Sequence, residues 1–441
     1  MLSANAEVLR TFADIETEAE DCARGFGHLP PRSVVAVQLG NSERWPAVLL
    51  ALFRRELIPL PLGRHMERAE LDIALSTCGA AGVVESECGE SVFRAVGGGT
   101  PVAWTGAAPD LLKLTSGTTS VPRAIRFRAH QLLADCDQIC ATMGITGRDL
   151  NYGVIPFSHS YGFSNLLTPL LCRGVPLVAT DDRMPRAILD GLARTGATVF
   201  PGMPVFFQKF AGMENTPRLP SLRLCISAGA PLPPAPAERF TAKFGVKIHT
   251  FYGSSECGGI GYDASDEPRY EEGFVGTPMQ GVCIERESDE PGPIAICSAA
   301  VGDGYFPADD PSLGARRFIP GDLVRWTERG MFLAGRMSDI INVAGRKLNP
   351  LEVEARLAEC PGVREAVVFG VRSELRGEEP VICAAGEGIT REALLRFCHE
   401  RLSAWQVPRD VWIVAAIPMN DRGKTSRRVL AEQYLARTSC L

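Results

Sequence analysis

Lysine is scarce in this chain. Of 46 cationic residues only Lys113, Lys209, Lys243, Lys247, Lys347 and Lys424 are lysines; the rest are arginine. Cations are also outnumbered overall, and a net charge of −6 argues against nucleic acid as the main partner, because a phosphate backbone selects for basic faces. The fourteen cysteines include no C-x-x-C pair, Cys136 and Cys140 being the closest two, and the six histidines are scattered. That spacing excludes a zinc site and a disulfide framework, and Cys225 and Cys383 sit among apolar neighbours as reduced thiols do. No apolar run exceeds residues 45–53, far short of a bilayer span. Residues 1–12 lack a basic start followed by an apolar stretch, so no secretory signal is expected and the expected location is cytoplasmic.

What is present is an ordinary globular composition, 45% apolar and 22% charged, over 441 residues, more than one core usually supports. Short apolar runs alternate with helical patterns: strands at 33–39, 57–60 and 81–84, helices at 43–54 and 67–77. The rhythm recurs with strands at 197–200, 222–227 and 247–251. Such alternation predicts an α/β fold of largely parallel sheets. Proline-bearing stretches at 217–220 and 231–236 read as loops. The texture changes at 335–339. Beyond it a compact β/α mixture follows, with helices at 350–359 and 390–402 and strands at 364–371, 380–384 and 411–415. About a hundred residues suffice for a small domain.

Five segments concentrate polar chemistry. Residues 113–123 place the hydroxyls of Thr115, Ser116, Thr118, Thr119 and Ser120 around Gly117 and end in Pro122-Arg123. Hydroxyls, bare N–H groups and a cation suit a polyphosphate, and equally a solvated turn. At 251–256 an aromatic, Tyr252, precedes Gly253, Ser254, Ser255 and Glu256. The ring could stack on a base, Ser255 meet a phosphate and Glu256 hold Mg²⁺ through oxygen, or the segment could be an exposed turn. Asp322 follows Pro320-Gly321 at the start of a strand, where a carboxylate could chelate two ribose hydroxyls. Arg336 lies in 335–339, which runs on into 342–347. Finally Lys424 sits on a glycine turn at 420–426, either functional or simply solvated.

In this order the segments resemble the AMP-forming acyl- and aryl-acid ligase superfamily of acyl-CoA synthetases, peptide-synthetase adenylation domains and luciferases. The resemblance covers nearly the whole chain. Residues 39–42 and 58–62 look like its N-terminal block, and 115–123 like its phosphate loop. Residues 156–162 are similar to the block bordering the acyl pocket, and 227–232 to the segment lining adenine. It implies a large N-terminal domain of stacked, mostly parallel sheets with helices (1–336) and a small mobile α+β C-terminal lid (338–441).

The implied reaction has two steps. A carboxylate attacks the α-phosphate of ATP·Mg²⁺ to give an acyl-adenylate; then a thiol of CoA or of carrier-protein phosphopantetheine displaces AMP. The resemblance assigns catalytic roles to Thr115, Glu256 and Lys424, with Glu256 on the metal. Nucleotide contacts fall to Ser116, Gly117, Thr118, Thr119, Gly229, Ala230, Pro231, Tyr252, Gly253, Ser254, Ser255, Asp322 and Arg336. His159, Phe163 and Met203 are the pocket candidates, and Ala344 and Gly345 form the acceptor-side loop.

The chain departs from the family pattern at Ser120, at Arg123-Ala124 in place of Lys-Gly, and at Ser338 in the hinge. Residues 151–180 contain no acid to hold a substrate ammonium, so a fatty or aryl acid is favoured over an amino acid. A small carboxylic acid is the expected partner, with an acyl carrier protein as the alternative to CoA for the acceptor thiol. The alternatives are a non-catalytic nucleotide- or acyl-binding protein on the same fold, or a stand-alone amino-acid adenylation enzyme. A P-loop NTPase is excluded, because the Gly-Lys-Ser/Thr ending is absent.

Overall fold

Val34–Gln38 is wholly buried and apolar without alternation up to Gln38, as a strand covered on both faces must be. It pairs in parallel with Ile58–Pro61 on one side and Ala80–Glu87 on the other, and Glu90–Ala95 closes this sheet antiparallel. The computed structural model describes all residues except 88–89, 97–101, 105, 116–121, 374–375, 420–424 and 439–441. They form two units. One comprises Met1–Arg286, Ala295–Pro320 and Thr327–Phe332; the other comprises Glu287–Ile294, Gly321–Trp326 and Leu333–Leu441.

In the first unit a larger sheet runs in the order Leu2–Ser3, Leu177–Ala179, Asn151–Gly153, Val199–Gly202, Leu224–Ser227 and Ile248–Ser254, all parallel. Gly258–Tyr262 and Phe274–Pro278 continue it antiparallel. A third, small sheet is the hairpin Leu111–Thr115 with Arg123–Phe127, extended by Gly304–Phe306. Leu112 and Ala124 of that hairpin share a core with Val34, Ala36 and Leu60 and with Leu71, Ala74 and Leu75 of helix Arg68–Thr77, which packs the small sheet onto the first. The fold class is α/β, as the alternation implies. One expectation fails: residues 231–236 are not all loop, because helix Pro234–Phe244 begins inside them. Proline in a first helical turn loses no intrahelical hydrogen bond, so Pro234 and Pro236 start a helix instead of breaking one.

In the second unit a five-stranded sheet contains Arg346–Leu348, Ile341–Val343, Gly377–Gly386 and Val363–Ser373, with Asp410–Ile413 parallel to Gly377–Gly386. Alternate residues of its central strands feed two cores. Val368, Ile382 and Ala384 pack with Val353 and Leu357 of helix Pro350–Leu357 and with Leu394 and Cys398 of helix Arg391–Arg401. Phe369, Val381 and Cys383 pack with Leu430 and Tyr434 of helix Arg427–Thr438.

The amino ends of the large sheet's strands are tied by one carboxylate. Asp149, just before Asn151–Gly153, accepts Nε and Nη2 of Arg223 at 2.7 and 2.8 Å, Thr198 Oγ1 at 2.9 Å and the Thr146 amide at 2.9 Å. Arg223 and Thr198 immediately precede Leu224–Ser227 and Val199–Gly202. Burial alone would raise the Asp149 carboxyl, but these hydrogen bonds outweigh it and hold it at about 2. A depressed folded-state value contributes stability that is complete above about pH 4 and lost as pH falls towards 2. Asp149→Asn should therefore cost about 1–2 kcal/mol near neutrality. The gap in melting temperature should shrink between about pH 4 and pH 2; a gap constant over that range would contradict the clamp.

Candidate functional site

In parallel strands the carboxyl ends share one edge, and α/β sheets hold their ligands there. The segments singled out in the sequence follow those ends. Residues 156–163 come after Asn151–Gly153, Met203 after Val199–Gly202, Gly229-Ala230-Pro231 after Leu224–Ser227, and Ser255-Glu256 after Ile248–Ser254. Gly229, Ala230 and Pro231 are exposed, and Gly229 takes φ +86°, which a turn off a strand end requires. His159 is exposed, caps helix Ser160–Gly162 and accepts the Tyr161 amide through Nδ1 at 3.2 Å. Met203 is half-buried at the start of helix Pro204–Gly212. Phe163 lies in the core at 1% exposure.

Asn41 holds this edge together. Its Nδ2 donates to the carbonyls of Gly153 at 2.8 Å, Ile155 at 3.1 Å and Thr180 at 3.2 Å, and its Oδ1 accepts the Phe157 amide at 2.9 Å. Its own amide donates to Asp181 Oδ1 at 2.9 Å. One buried side chain thus joins the carboxyl ends of Val34–Gln38, Asn151–Gly153 and Leu177–Ala179.

Glu256 is half-buried, and its carbonyl accepts the Gly302 amide at 2.9 Å. Tyr305 Oη donates to its Oε1 at 3.1 Å. Oε2 has no hydrogen-bond or ion-pair partner among the described residues. Ser160 Oγ donates to Ser255 Oγ at 3.0 Å, and Ser254 Oγ lies 3.2 Å from Cys257 Sγ. Tyr252 is buried, while Gly253 is exposed. Thr115 Oγ1 donates to the Arg123 carbonyl at 3.0 Å, closing the hairpin on either side of the phosphate-loop candidate. Ser116, Gly117, Thr118 and Thr119 lie outside the described residues. The Arg123 guanidinium stands 4.3 Å from the Tyr305 ring and 3.2 Å from Asp310 Oδ2. Burial, then the Glu256 charge, pushes the Tyr305 phenol up, so it remains a hydrogen-bond donor at neutral pH. A carboxylate with one oxygen held and the other without a protein partner fits a hard cation such as Mg²⁺.

In the second unit Asp322 opens strand Asp322–Thr327 and accepts Arg336 Nε at 2.8 Å, with the Met337 amide on the Gly321 carbonyl at 2.7 Å. Ala344 and Gly345 are the two turn residues between Ile341–Val343 and Arg346–Leu348, and both have positive φ, +51° and +82°. For an alanine that conformation costs about 1 kcal/mol and marks a constrained turn. Ser338 Oγ donates to Asp339 Oδ1 at 3.1 Å, and Arg427 ties Asp339 (2.6 Å) to Glu354 (2.9 Å). Lys424 lies outside the described residues.

Sequence reasoning missed Tyr305 and Asp310, and gave Lys113 no role. Only the register of Gly304–Phe306 against the hairpin puts Tyr305 near Arg123, a long-range pairing without local signature. Lys113 is fully buried with Nζ 4.9 and 5.0 Å from the Phe127 and Phe163 rings and 3.4 Å from Ser164 Oγ. Burial pulls its pKa down against the Asp135 charge.

A family model described as AMP-binding enzyme matches residues 5–306, and one described as AMP-binding enzyme C-terminal domain matches 352–424. A probable CoA ligase of Humulus lupulus is 26% identical over 95% of this chain and 89% of its own length. An oxalate–CoA ligase of Arabidopsis thaliana is 29% identical over 73% of this chain, which spans 66% of that relative. Among solved structures, ATP-bound MatB from Rhodopseudomonas palustris superposes with a TM-score of 0.83 at 22% identity, covering 96% of this chain and 93% of that one; this shows the fold. No helix among the described residues is long and apolar enough to cross a membrane.

Asn41→Ala would leave the Phe157 amide and several buried carbonyls without their partner. The expected cost is about 2–4 kcal/mol, seen as a melting temperature lowered by several degrees and faster proteolysis within 153–163. A variant melting like the parent would show that the edge does not depend on this side chain.

Proposed function

The chain belongs to the AMP-binding enzyme family, the AMP-forming acyl- and aryl-acid ligases, and from that premise we propose its reaction. It activates a carboxylic acid with ATP and passes the acyl group to the thiol of CoA. The observation that carries this is the placing of Glu256, Ser255 and the hairpin ends Thr115 and Arg123 in one unit, with Oε2 of Glu256 left for a ligand.

In the first step a carboxylate oxygen attacks the α-phosphorus, the bond to the bridging oxygen breaks, and pyrophosphate leaves. Charge accumulates on phosphoryl oxygens, so positioned donors and cations supply most of the rate. Glu256 would hold Mg²⁺, which when bound would neutralise part of that charge. Thr115 and residues 116–119 cradle the phosphates, and Gly229-Ala230-Pro231 and Tyr252 border the base. Asp322 holds the ribose with Arg336 beside it, and Lys424 bridges phosphate and substrate carboxylate. In the second step the thiolate attacks the acyl carbonyl and AMP departs with the former carboxylate oxygen. Before that attack the small C-terminal domain swings so that Ala344-Gly345 faces the acyl-adenylate, a conformational step typical of such two-stage sites.

The acid is fatty or aryl. Residues 151–180 hold no carboxylate, and a buried substrate ammonium would lack its counter-charge. His159 and Met203 are the pocket-facing candidates. Phe163, like Phe200, Phe206, Phe207 and Phe210, is packed in the core. The named activities of the CoA-ligase relatives support CoA as acceptor; a carrier-protein phosphopantetheine offers the same thiol.

ATP–pyrophosphate exchange across a panel of fatty, aryl and amino acids tests the reading. Exchange is expected with a fatty or aryl acid and none with amino acids. Tight ATP binding without exchange for any acid would instead support a non-catalytic binding protein. Lys424→Ala should abolish exchange and largely spare thioester formation from supplied acyl-adenylate. Equal loss of both half-reactions would contradict its role.

A further inference from the structure

Three segments distant in sequence meet at Tyr305. Strand Gly304–Phe306 pairs with Arg123–Phe127 so that Tyr305 lies opposite Ile125, two residues from Arg123. The ring face of Tyr305 carries the Arg123 guanidinium at 4.3 Å, and its hydroxyl reaches Glu256 Oε1 at 3.1 Å. Arg123 is held from its other side by Asp310 at 3.2 Å, and Asp310 is itself fixed by the Ser312 amide at 2.9 Å and the Ser312 hydroxyl at 2.6 Å. The Gly302 amide on the Glu256 carbonyl, 2.9 Å, pins the same two segments through their backbones.

We infer that Tyr305 is a positioning residue for the metal carboxylate: its hydroxyl fixes one oxygen of Glu256 so that the other faces the nucleotide-bound divalent cation. The inference rests on the reading of Glu256 as the Mg²⁺ residue. A carboxylate free to rotate presents its oxygens over a broad cone, and a donor on one of them removes that freedom before the ligand arrives. Outer-shell hydrogen bonds of this kind commonly govern metal affinity by about 10-fold or more. The same ring also orders Arg123, the cation at the far end of the phosphate loop, so one side chain links loop end and metal residue. A buried tyrosine that merely satisfies its hydroxyl would share this geometry. It would not set the affinity for the cation.

Mn²⁺ binding in the presence of α,β-methylene-ATP, read from the free-ion EPR signal, separates the two. The parent, Tyr305→Phe and Glu256→Gln are compared, with melting curves in metal-free buffer as a check of folding. Phe keeps the ring on which Arg123 stacks, so the fold should persist. The expected result is Mn²⁺ binding weakened by about 10-fold in Tyr305→Phe, more strongly in Glu256→Gln, and unchanged affinity of both for the analogue without metal. Parent-like Mn²⁺ binding in Tyr305→Phe, with loss in Glu256→Gln, overturns the positioning role and leaves the metal residue standing. Parent-like binding in Glu256→Gln overturns the metal reading and the positioning role with it.

Discussion

Asn41 supplies the constraint on which the first unit's site depends. Where parallel strands end, their last carbonyls and the next amides lose their ladder partners, and an edge meant to hold a ligand cannot be covered by more sheet. A primary amide has two donors and an acceptor, and Asn41, which follows Val34–Gln38 of one sheet, commits its side chain to the segments leaving two strands of another. With that edge fixed, residues 156–163 leave the sheet in a defined direction, and Ser160 meets Ser255 across it. The opposite edge is fixed by a charge. Asp149 gathers Thr146, Thr198 and Arg223 at the amino ends of three neighbouring strands. Val199–Gly202 and Leu224–Ser227, which start from this clamp, are wholly buried.

The scarcity of lysine has a counterpart in the site. Arg123 stands where the family resemblance implies lysine, and its planar guanidinium does what an ammonium does poorly: it stacks on Tyr305 and pairs with Asp310 together. The loss of the following glycine is accommodated in the strand, where Ala124 is buried opposite Leu114 and Phe306. In the second unit Arg427 performs a similar task, joining Asp339, Glu354 and the Val368 carbonyl. Arginine here acts as a structural fork as much as a charge.

The sequence made the regular architecture readable because period and composition act locally. The buried runs at 34–38 and 224–227 and the helix at 68–77 follow from apolar patterning alone. The prolines at 231–236 misled because a helix start and a loop share the same residue preferences. Helix Arg427–Thr438 escaped notice since it buries only Leu430 and Tyr434 beneath an arginine-rich surface. Local patterning placed Glu256 just past one strand and Asp322 at the start of another, where the structure has them. It could not show that Phe163 is core or that Tyr305 touches Glu256, because both depend on which distant strands become neighbours.

The central claim is that a carboxylate attacks the α-phosphorus of ATP, and the fate of oxygen tests it most directly. A fatty or aryl acid labelled with ¹⁸O in both carboxylate oxygens is incubated with the protein, ATP, Mg²⁺ and CoA, and the nucleotide products are weighed. The account predicts AMP carrying one labelled oxygen in its phosphate, together with unlabelled pyrophosphate and an acyl-CoA retaining the other label. ADP with labelled inorganic phosphate, or AMP without label, would contradict it.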